Sequence, residues 1–276
     1  MSSRLDSELV RRGVARSRRH AAELIASGRV LVDGAVARRS ATAVQDGQRV
    51  EVEASQAAEP EYASRAAHKL LGALDVWAGA GLLVEGRVCL DAGASTGGFT
   101  DVLLRRGAAR VVAVDVGHDQ IVQALREDPR VEVREGVNVR HLAAGDVEPA
   151  PQLVVADLSF ISLTLVLPAL AAVARPDADL VVMVKPQFEV GRERLGSGGV
   201  VRSPALRVEA VLSVARAAVG LGLVVAGVAR SPLPGPSGNV EYFLWLRRAG
   251  TPSSDEEIVE QVERAVRAPA TGGGDT

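Results

Sequence analysis

The amino-acid sequence predicts an α/β protein in which a small basic domain precedes a larger, mainly parallel sheet covered by helices on both faces. Three observations predict it. From about residue 64 onward, short apolar runs of strand type alternate with helical stretches, the pattern of successive strand–helix–strand units. The first of those strands runs into a glycine-rich turn that opens a helix, Asp91-Ala-Gly-Ala-Ser-Thr-Gly-Gly-Phe-Thr100. Positive charge is gathered at one end: residues 1–50 carry ten Arg against five Asp plus Glu, a net +5, which leaves −7 on the remainder.

Length and composition bound the reading. A chain of 276 residues has room for roughly two domains. With 47% hydrophobic but only 3% aromatic residues, the core must be built from Val, Leu and Ala. The single cysteine, Cys89, excludes an intrachain disulfide and a zinc-finger spacing, so no metal is expected and a reducing compartment fits. The N-terminal MSSRLDSELVRRG lacks the apolar stretch of a secretory signal, and no run approaches the roughly 18 apolar residues of a membrane span. The expectation is a soluble cytoplasmic monomer with no membrane association.

Residues 1–53 read as two short helices and a little sheet. Residues 4–12 place Leu5 and Leu9 on one helical face and stop at Gly13. Ser17 is placed to cap a second helix over residues 18–26, with Ala22 and Ile25 facing inward and Gly28 ending it. Val30 and Val32 alternate up to Asp33-Gly34, a tight-hairpin signal, and Val36 begins the return; Asp46-Gly47 marks another turn before residues 49–52. Arg4, Arg11, Arg16, Arg18 and Arg19 cluster on the two helices, and clustering favours a nucleic-acid contact over an ordinary solvated face.

Residues 54–63 read as a linker, small, polar and acidic with a proline. A larger domain is expected over 64–268, then a disordered tail over 269–276. Ser64 is placed to cap a helix over 65–77 whose stripe is Leu70, Leu71 and Leu74. Strands are expected at 88–91, 111–115, 131–134, 153–157, 179–185, 223–228 and 240–246. The last two are joined by a segment too short for a helical crossover, so the final strand should run antiparallel to its neighbour. An amphipathic helix is expected from Ser254 through Val266.

The candidate site residues fall at strand ends, where open α/β sheets bind ligands. In the glycine turn, Asp91, Gly93, Ser95, Thr96, Gly97, Gly98 and Phe99 are placed to approach a ligand, with a helix starting near Asp101. The spacing Gly-x-x-x-Gly-Gly fails the dinucleotide fingerprint, and no Gly-Lys-Ser/Thr of a triphosphate loop follows. Asp115 ends the next strand about 20 residues on, where an acid can bind both ribose hydroxyls of an adenosine. Asn138 is placed either to contact the adenine or to cap a helix. Together with the antiparallel last strand, this points to S-adenosylmethionine as cofactor.

Of 32 basic residues only Lys69 and Lys185 are lysines. Lysine can give up its proton where arginine effectively cannot, so two retained lysines suggest proton handling. Lys185 ends one strand and Asp157 another, offering an amine and a carboxylate at one sheet edge.

The segments SRAAHKL, LDAGASTGGFTDVLL, VVADLSFISL, VKPQFEVG and SPLPGPSGNVEYFLWL resemble the TlyA family, also called hemolysin A, of ribosomal RNA 2'-O-methyltransferases. The resemblance runs from Arg4 to about Arg248. It implies a class I, Rossmann-like methyltransferase sheet similar to FtsJ-type enzymes behind an alpha-L RNA-binding domain. It also implies a Lys-Asp-Lys-Glu tetrad, which falls on Lys69, Asp157, Lys185 and Glu241, and a cytidine ribose in large-subunit RNA as acceptor, with small-subunit RNA as a further one, modified within ribosomal subunits. Arg65 joins the RNA-facing candidates. Segment 186–201, with four glycines, Arg192 and Arg194, reads as a mobile loop closing over a flipped nucleotide, with Phe188 either stacking on its base or packed. The acceptor is a hydroxyl: Asp157-Leu-Ser-Phe is not the pattern of amine methylation, and Cys89, buried in a strand, cannot serve as a thiol nucleophile. The competing readings are a noncatalytic RNA-binding assembly factor, a membrane-lytic protein and a nicotinamide oxidoreductase.

Overall fold

The computed structural model describes residues 2–15, 18–26, 28–45, 47–52 and 62–269. The chain divides between Glu61 and Tyr62 into two compact units. Ser17, Asp46, most of the expected linker and residues 270–276 of the expected tail lie outside the described residues.

In the first unit β1 (Ser2–Arg4) leads directly into α1 (Leu5–Arg11), which Gly13 ends at φ +71°. Next come α2 (Arg18–Ala26), β2 (Val30–Val32), β3 (Ala35–Val36), β4 (Ala43–Gln45) and β5 (Val50–Val52). The Asp33-Gly34 turn has φ +51° and +82°, the left-handed pair that a tight hairpin needs, and β2 pairs with both β3 and β5. The pairing of β1 with β4 has no signal in the sequence. Leu5, Leu9, Ala21, Leu24, Ile25, Val30 and Val44 form the core. The inward stripe of α2 is therefore Ala21, Leu24 and Ile25, a spacing of three and four, and the expected Ala22 is only half-buried beside it.

The second unit is a seven-stranded sheet. In chain order it runs α3 (Ala67–Trp77), β6 (Val88–Ala92), α4 (Gly98–Arg105), β7 (Arg110–Val114), α5 (Gln123–Arg126), β8 (Val131–Arg134), β9 (Leu153–Ala156), α6 (Leu167–Val173), β10 (Asp179–Val184), α7 (Pro186–Glu189), α8 (Pro204–Gly220), β11 (Val224–Arg230), β12 (Tyr242–Arg247) and α9 (Asp255–Arg267). The strand order is β11-β12-β10-β9-β6-β7-β8, and β12 is antiparallel to both of its neighbours. Strand pleating sends alternate residues to opposite faces. Leu90, Val112, Val154 and Val182 meet α6, α8 and α9, whereas Cys89, Val111, Val155 and Val181 meet α3 and α4. The Cys89 thiol, pushed up to about 12 by burial, is a packing group.

Several boundaries differ from expectation. The side chain of Ser64 caps nothing: α3 begins at Ala67, after a turn in which the Ala67 N–H donates to the Ser64 carbonyl. The helix expected near Asp101 starts at Gly98, because Gly97 at φ +95° turns the chain into it at once. Segment 186–201 is not one open loop: it holds α7 and two single-turn helices and packs Val190 and Val201 against Ala210 of α8. Successive strands leave β6 in opposite directions, toward β7 and toward β9, so a crevice opens beyond the carboxyl ends of β6 and β9.

Candidate active site

The turn after β6 is built by backbone geometry. Gly93 at φ +89°, Ser95 at +47° and Gly97 at +95° occupy the left-handed region, which costs a non-glycine residue free energy and marks Ser95 as held there by its surroundings. A Cβ at Gly93 would sit 2.7 Å from the backbone oxygen of Asp157, and one at Gly98 would collide with the Ser64 hydroxyl. Asp115, just past β7, closes the turn from the other side: Oδ2 accepts from the Ser95 N–H at 2.8 Å and Oδ1 from the Gly117 N–H at 2.7 Å.

Three cavities meet on this edge. One of about 580 Å³ is lined by Gly93, Ser95, Asp115, Asn138 and Asp157 among others, with Val116, Val137 and Leu158 as apolar wall. A narrower one of about 170 Å³ runs between the turn (Gly93, Ser95, Thr96, Gly98, Phe99) and Asp157, Ser159 and Lys185. The third, about 810 Å³, extends outward from Ser159, Lys185 and Glu241 past Phe160 and Phe188, whose rings lie 5.2 Å apart, to the glycines of segment 191–199. Lys185 is common to the second and third.

The four candidate catalytic residues form two ion pairs at that junction, one partly buried and one fully buried. Lys185 Nζ lies 2.6 Å from Asp157 Oδ1 and donates a hydrogen bond to Ser159 Oγ at 2.9 Å. The contact with Asp157 lacks the alignment of a hydrogen bond, so it acts through charge. Lys69 Nζ donates to Glu241 Oε2 at 2.5 Å, with the two side chains 8% and 1% exposed. The ladder between β10 and β12 brings these pairs together. Val184 faces Tyr242, and one step beyond that register stand Lys185 and Glu241.

Other candidates stand where the sequence put them but touch different groups. Asp91, expected to contact cofactor, lines none of these three cavities. It is fully buried, Oδ2 accepts from Thr100 Oγ1 at 2.7 Å, and burial pushes its carboxyl up to about 7. It holds α4 to β6 from behind the turn. Gly97 likewise faces Leu125 and Ile121 rather than the cavities. Asn138 is a helix cap, the second of its two expected roles: Oδ1 accepts from the Arg140 N–H at 3.0 Å at the start of a single helical turn, and the residue also lines the larger inner cavity.

In the first unit, Asp6 and Glu8 are buried and gather arginines. Asp6 accepts from Arg4 and from Arg18, at 3.1 Å each; Glu8 accepts from Arg11 at 2.8 Å and from Arg12 at 2.6 Å. These guanidinium contacts hold both carboxyls well below the usual carboxylate range. The side chains of Arg4, Arg11 and Arg18 stay more than half exposed, so their heads reach solvent. Arg16 and the Arg19 side chain lie outside the described residues. Arg65, in the second unit, is exposed.

Sequence reasoning missed Ser159, Thr100, Glu189 and Asn239. Ser159 stands between Asp157 and Phe160, where its spacing from the strand end was a usable signal. Asn239 gave none: Oδ1 accepts from the Val201 N–H at 2.9 Å and Nδ2 donates to the Gly199 carbonyl at 3.0 Å, contacts between distant loops.

Comparison with known proteins matches the S4 domain over residues 3–50 and the FtsJ-like methyltransferase family over residues 62–248. The chain is 56% identical over 265 residues to the 16S/23S rRNA (cytidine-2'-O)-methyltransferase TlyA of Mycobacterium tuberculosis, covering 96% of this chain and 97% of that protein. It is 36% identical over 241 residues to Hemolysin A of Brachyspira hyodysenteriae, covering 87% and 98%. A solved structure from Streptococcus thermophilus, described as a candidate hemolysin, superposes with a TM-score of 0.72 at 36% identity, covering 96% of this chain and 95% of that one.

Proposed function

The chain belongs to the TlyA family of FtsJ-like methyltransferases with an N-terminal S4 domain, and from that premise we propose that it transfers a methyl group from S-adenosylmethionine to the ribose 2'-oxygen of a cytidine in ribosomal RNA. The observation that carries this reading is the pair of ion pairs, Lys185 with Asp157 and Lys69 with Glu241, at the junction of the glycine-turn cavities and the 810 Å³ outer cavity.

The inner cavities suit the cofactor. Asp115 would hold the ribose hydroxyls of its adenosine, the walls at Val116, Asn138 and Leu158 would flank the base, and the residues from Gly93 to Phe99 would hold the amino-acid part. The missing Cβ at Gly93 leaves the backbone room that such a group needs. When bound, S-adenosylmethionine supplies an electrophilic methyl carbon on a sulfonium.

The chain's own residues prepare the acceptor. A ribose hydroxyl is a poor nucleophile until its proton is drawn away. Lys185, after giving up the proton of its resting ammonium to solvent through the open cavity, accepts the hydroxyl proton at Nζ, at the mouth shared by the two cavities. Asp157 and Ser159 orient the amine, and Glu241 with Lys69 fixes the wall of the outer cavity, which is large enough for an extruded nucleotide. The arginine-bearing face of the S4 domain supplies sequence-independent attraction for RNA phosphates. On this reading the protein works as a cytoplasmic monomer on ribosomal subunits.

The deciding experiment gives purified protein labelled S-adenosylmethionine with separated small and large ribosomal subunits and maps the modified nucleoside. Label on a cytidine 2'-oxygen supports the reading and shows which subunit is the substrate. Incorporation at a base nitrogen or carbon, or none with either subunit, overturns it.

A further inference from the structure

Two loops frame Lys185. One follows β9 and carries Asp157, Ser159 and Phe160; the other follows β10 and carries Lys185, Gln187 and Phe188 on and before the single turn of α7. They touch at the ion pair between Asp157 and Lys185, at the bond from Lys185 to Ser159, and where the rings of Phe160 and Phe188 lie 5.2 Å apart. The first two contacts run through the amine whose proton count changes in the reaction, and the third lies at the outer end of the loops, where Phe160 is 91% exposed. Something else must keep the loops in register at that moment.

Glu189 stands four residues after Lys185, at the end of α7, and reaches across to the other loop. Its Oε2 accepts from Ser162 Oγ at 2.5 Å and its Oε1 from the Leu163 N–H at 2.9 Å, the first backbone donor of the helical turn at Leu163–Leu165. Ser162 Oγ lies 2.7 Å from Thr164 Oγ1 as well, so the carboxylate anchors the start of that turn as a whole. No cation pairs with Glu189 among the described residues, and burial pushes its carboxyl above the ordinary range. A carboxylate kept in a half-buried place for two neutral donors, both on the facing loop, is costly unless the joint itself matters.

We propose that Glu189 is a positioning residue for methyl transfer: by stapling the loop after β10 to the loop after β9, it keeps Lys185, Asp157 and Ser159 in register while the Lys185 amine exchanges its resting contacts for the substrate hydroxyl. This rests on the proposed function above. Glu189 itself lines none of the three cavities and acts through Lys185, whereas Ser162 stands on the wall of the outer cavity, so the Glu189 variants carry the test and Ser162→Ala reports on the bond between them. The conservative amide can reproduce it: in Glu189→Gln the side-chain oxygen accepts from the Leu163 N–H, and the side-chain nitrogen donates to Ser162, whose hydroxyl turns to accept.

The test compares full-length wild type with Glu189→Ala, Glu189→Gln and Ser162→Ala. The measurements are single-turnover methyl transfer to ribosomal subunits, S-adenosylmethionine affinity by calorimetry, and amide hydrogen exchange at Leu163. Misplacement of about 1 Å costs on the order of 100-fold in rate. The expected result for Glu189→Ala is therefore a single-turnover rate at least about 10-fold lower, with half-saturating subunit concentration and cofactor affinity within about twofold, and faster exchange at Leu163. Glu189→Gln should recover most of the rate, and Ser162→Ala should fall between. The proposal is overturned if Glu189→Ala keeps its rate within twofold, or if Glu189→Gln loses as much rate as the alanine variant while Leu163 remains protected. Should Glu189→Ala fail to fold, the Gln and Ser162 variants decide by the same criteria. A wild type that methylates neither subunit would instead sink the functional reading, and exchange at Leu163 would still report whether the staple exists.

Discussion

Lys69 carries its charge inside the protein, and the only described acceptor within bonding distance is Glu241, 172 positions away in the chain. Removing one partner of such a pair leaves an uncompensated buried charge, which costs about 3–5 kcal/mol, whereas replacing both by apolar groups is often neutral. Glu241→Leu should therefore lower Tm by roughly 10 °C, read by calorimetry. The double variant Lys69→Met with Glu241→Leu should recover most of that loss and remain inactive, and recovered methyl transfer in it would remove the pair from the chemistry. Asp91 gives a different signature. Its folded carboxyl titrates at about 7, above the value of an unfolded aspartate, so the stability it contributes is present below about pH 4 and is lost as the pH rises toward 7. Asp91→Asn should gain stability relative to wild type across that window and run parallel to it above; a constant difference from pH 4 to 8 would contradict the assignment. Lys69 and Lys185 were legible because lysine is so rare in this chain. Asp91 was misread as a ligand-facing residue, because a motif places a residue on a strand end without saying which way its side chain turns.

The elements that matter most are the turn after β6 and the strands flanking it. Gly93→Ala would force a Cβ to within 2.7 Å of the Asp157 backbone at a φ that disfavours a side chain, so the turn must withdraw from β9. We expect cofactor affinity at least about tenfold lower together with a Tm lowered by a few degrees, both measured by calorimetry; unaltered affinity would mean that the close approach is dispensable. Strand identity was readable for all seven strands of the large sheet, since runs rich in Val, Leu and Ala, or alternating as Val-Glu-Val-Arg does in β8, have few other uses when bounded by turns. The ends of six of them moved by one or two residues while β8 kept its bounds, because a ladder stops where the partner strand stops, a fact of register that no single segment contains. The turn at Leu163–Leu165 and the short helices within segment 186–201 escaped for a related reason. They are held by Glu189, Asn239 and the packing of Val190 and Val201 on Ala210, groups remote in sequence whose meeting depends on the finished sheet.

Over the whole molecule, positive charge is gathered in residues 1–50, which carry a net +5 against −7 on the rest. Salt should thus weaken substrate binding steeply, and every phosphate that the protein ceases to neutralise should reduce the slope of log affinity against log salt by roughly 0.7–0.9. Arg11→Ala together with Arg18→Ala should lower affinity for isolated ribosomal subunits and flatten that slope, while S-adenosylmethionine binding to the free protein stays as it was; a slope equal to wild type would assign RNA binding to other residues. The uneven distribution of arginine was plain in the sequence, but the buried Asp6 and Glu8 that gather these side chains were not, since acids within a basic stretch lower the net charge and read as dilution. The antiparallel course of β12 has an outcome for synthesis. Because that strand enters the sheet from the ligand-binding edge, Glu241 arrives there at its beginning, and Lys69, made early, waits for it until the greater part of the polypeptide has emerged from the ribosome. A chain interrupted before residue 241 would possess the glycine turn and both lysines and yet hold one of them without its counterion.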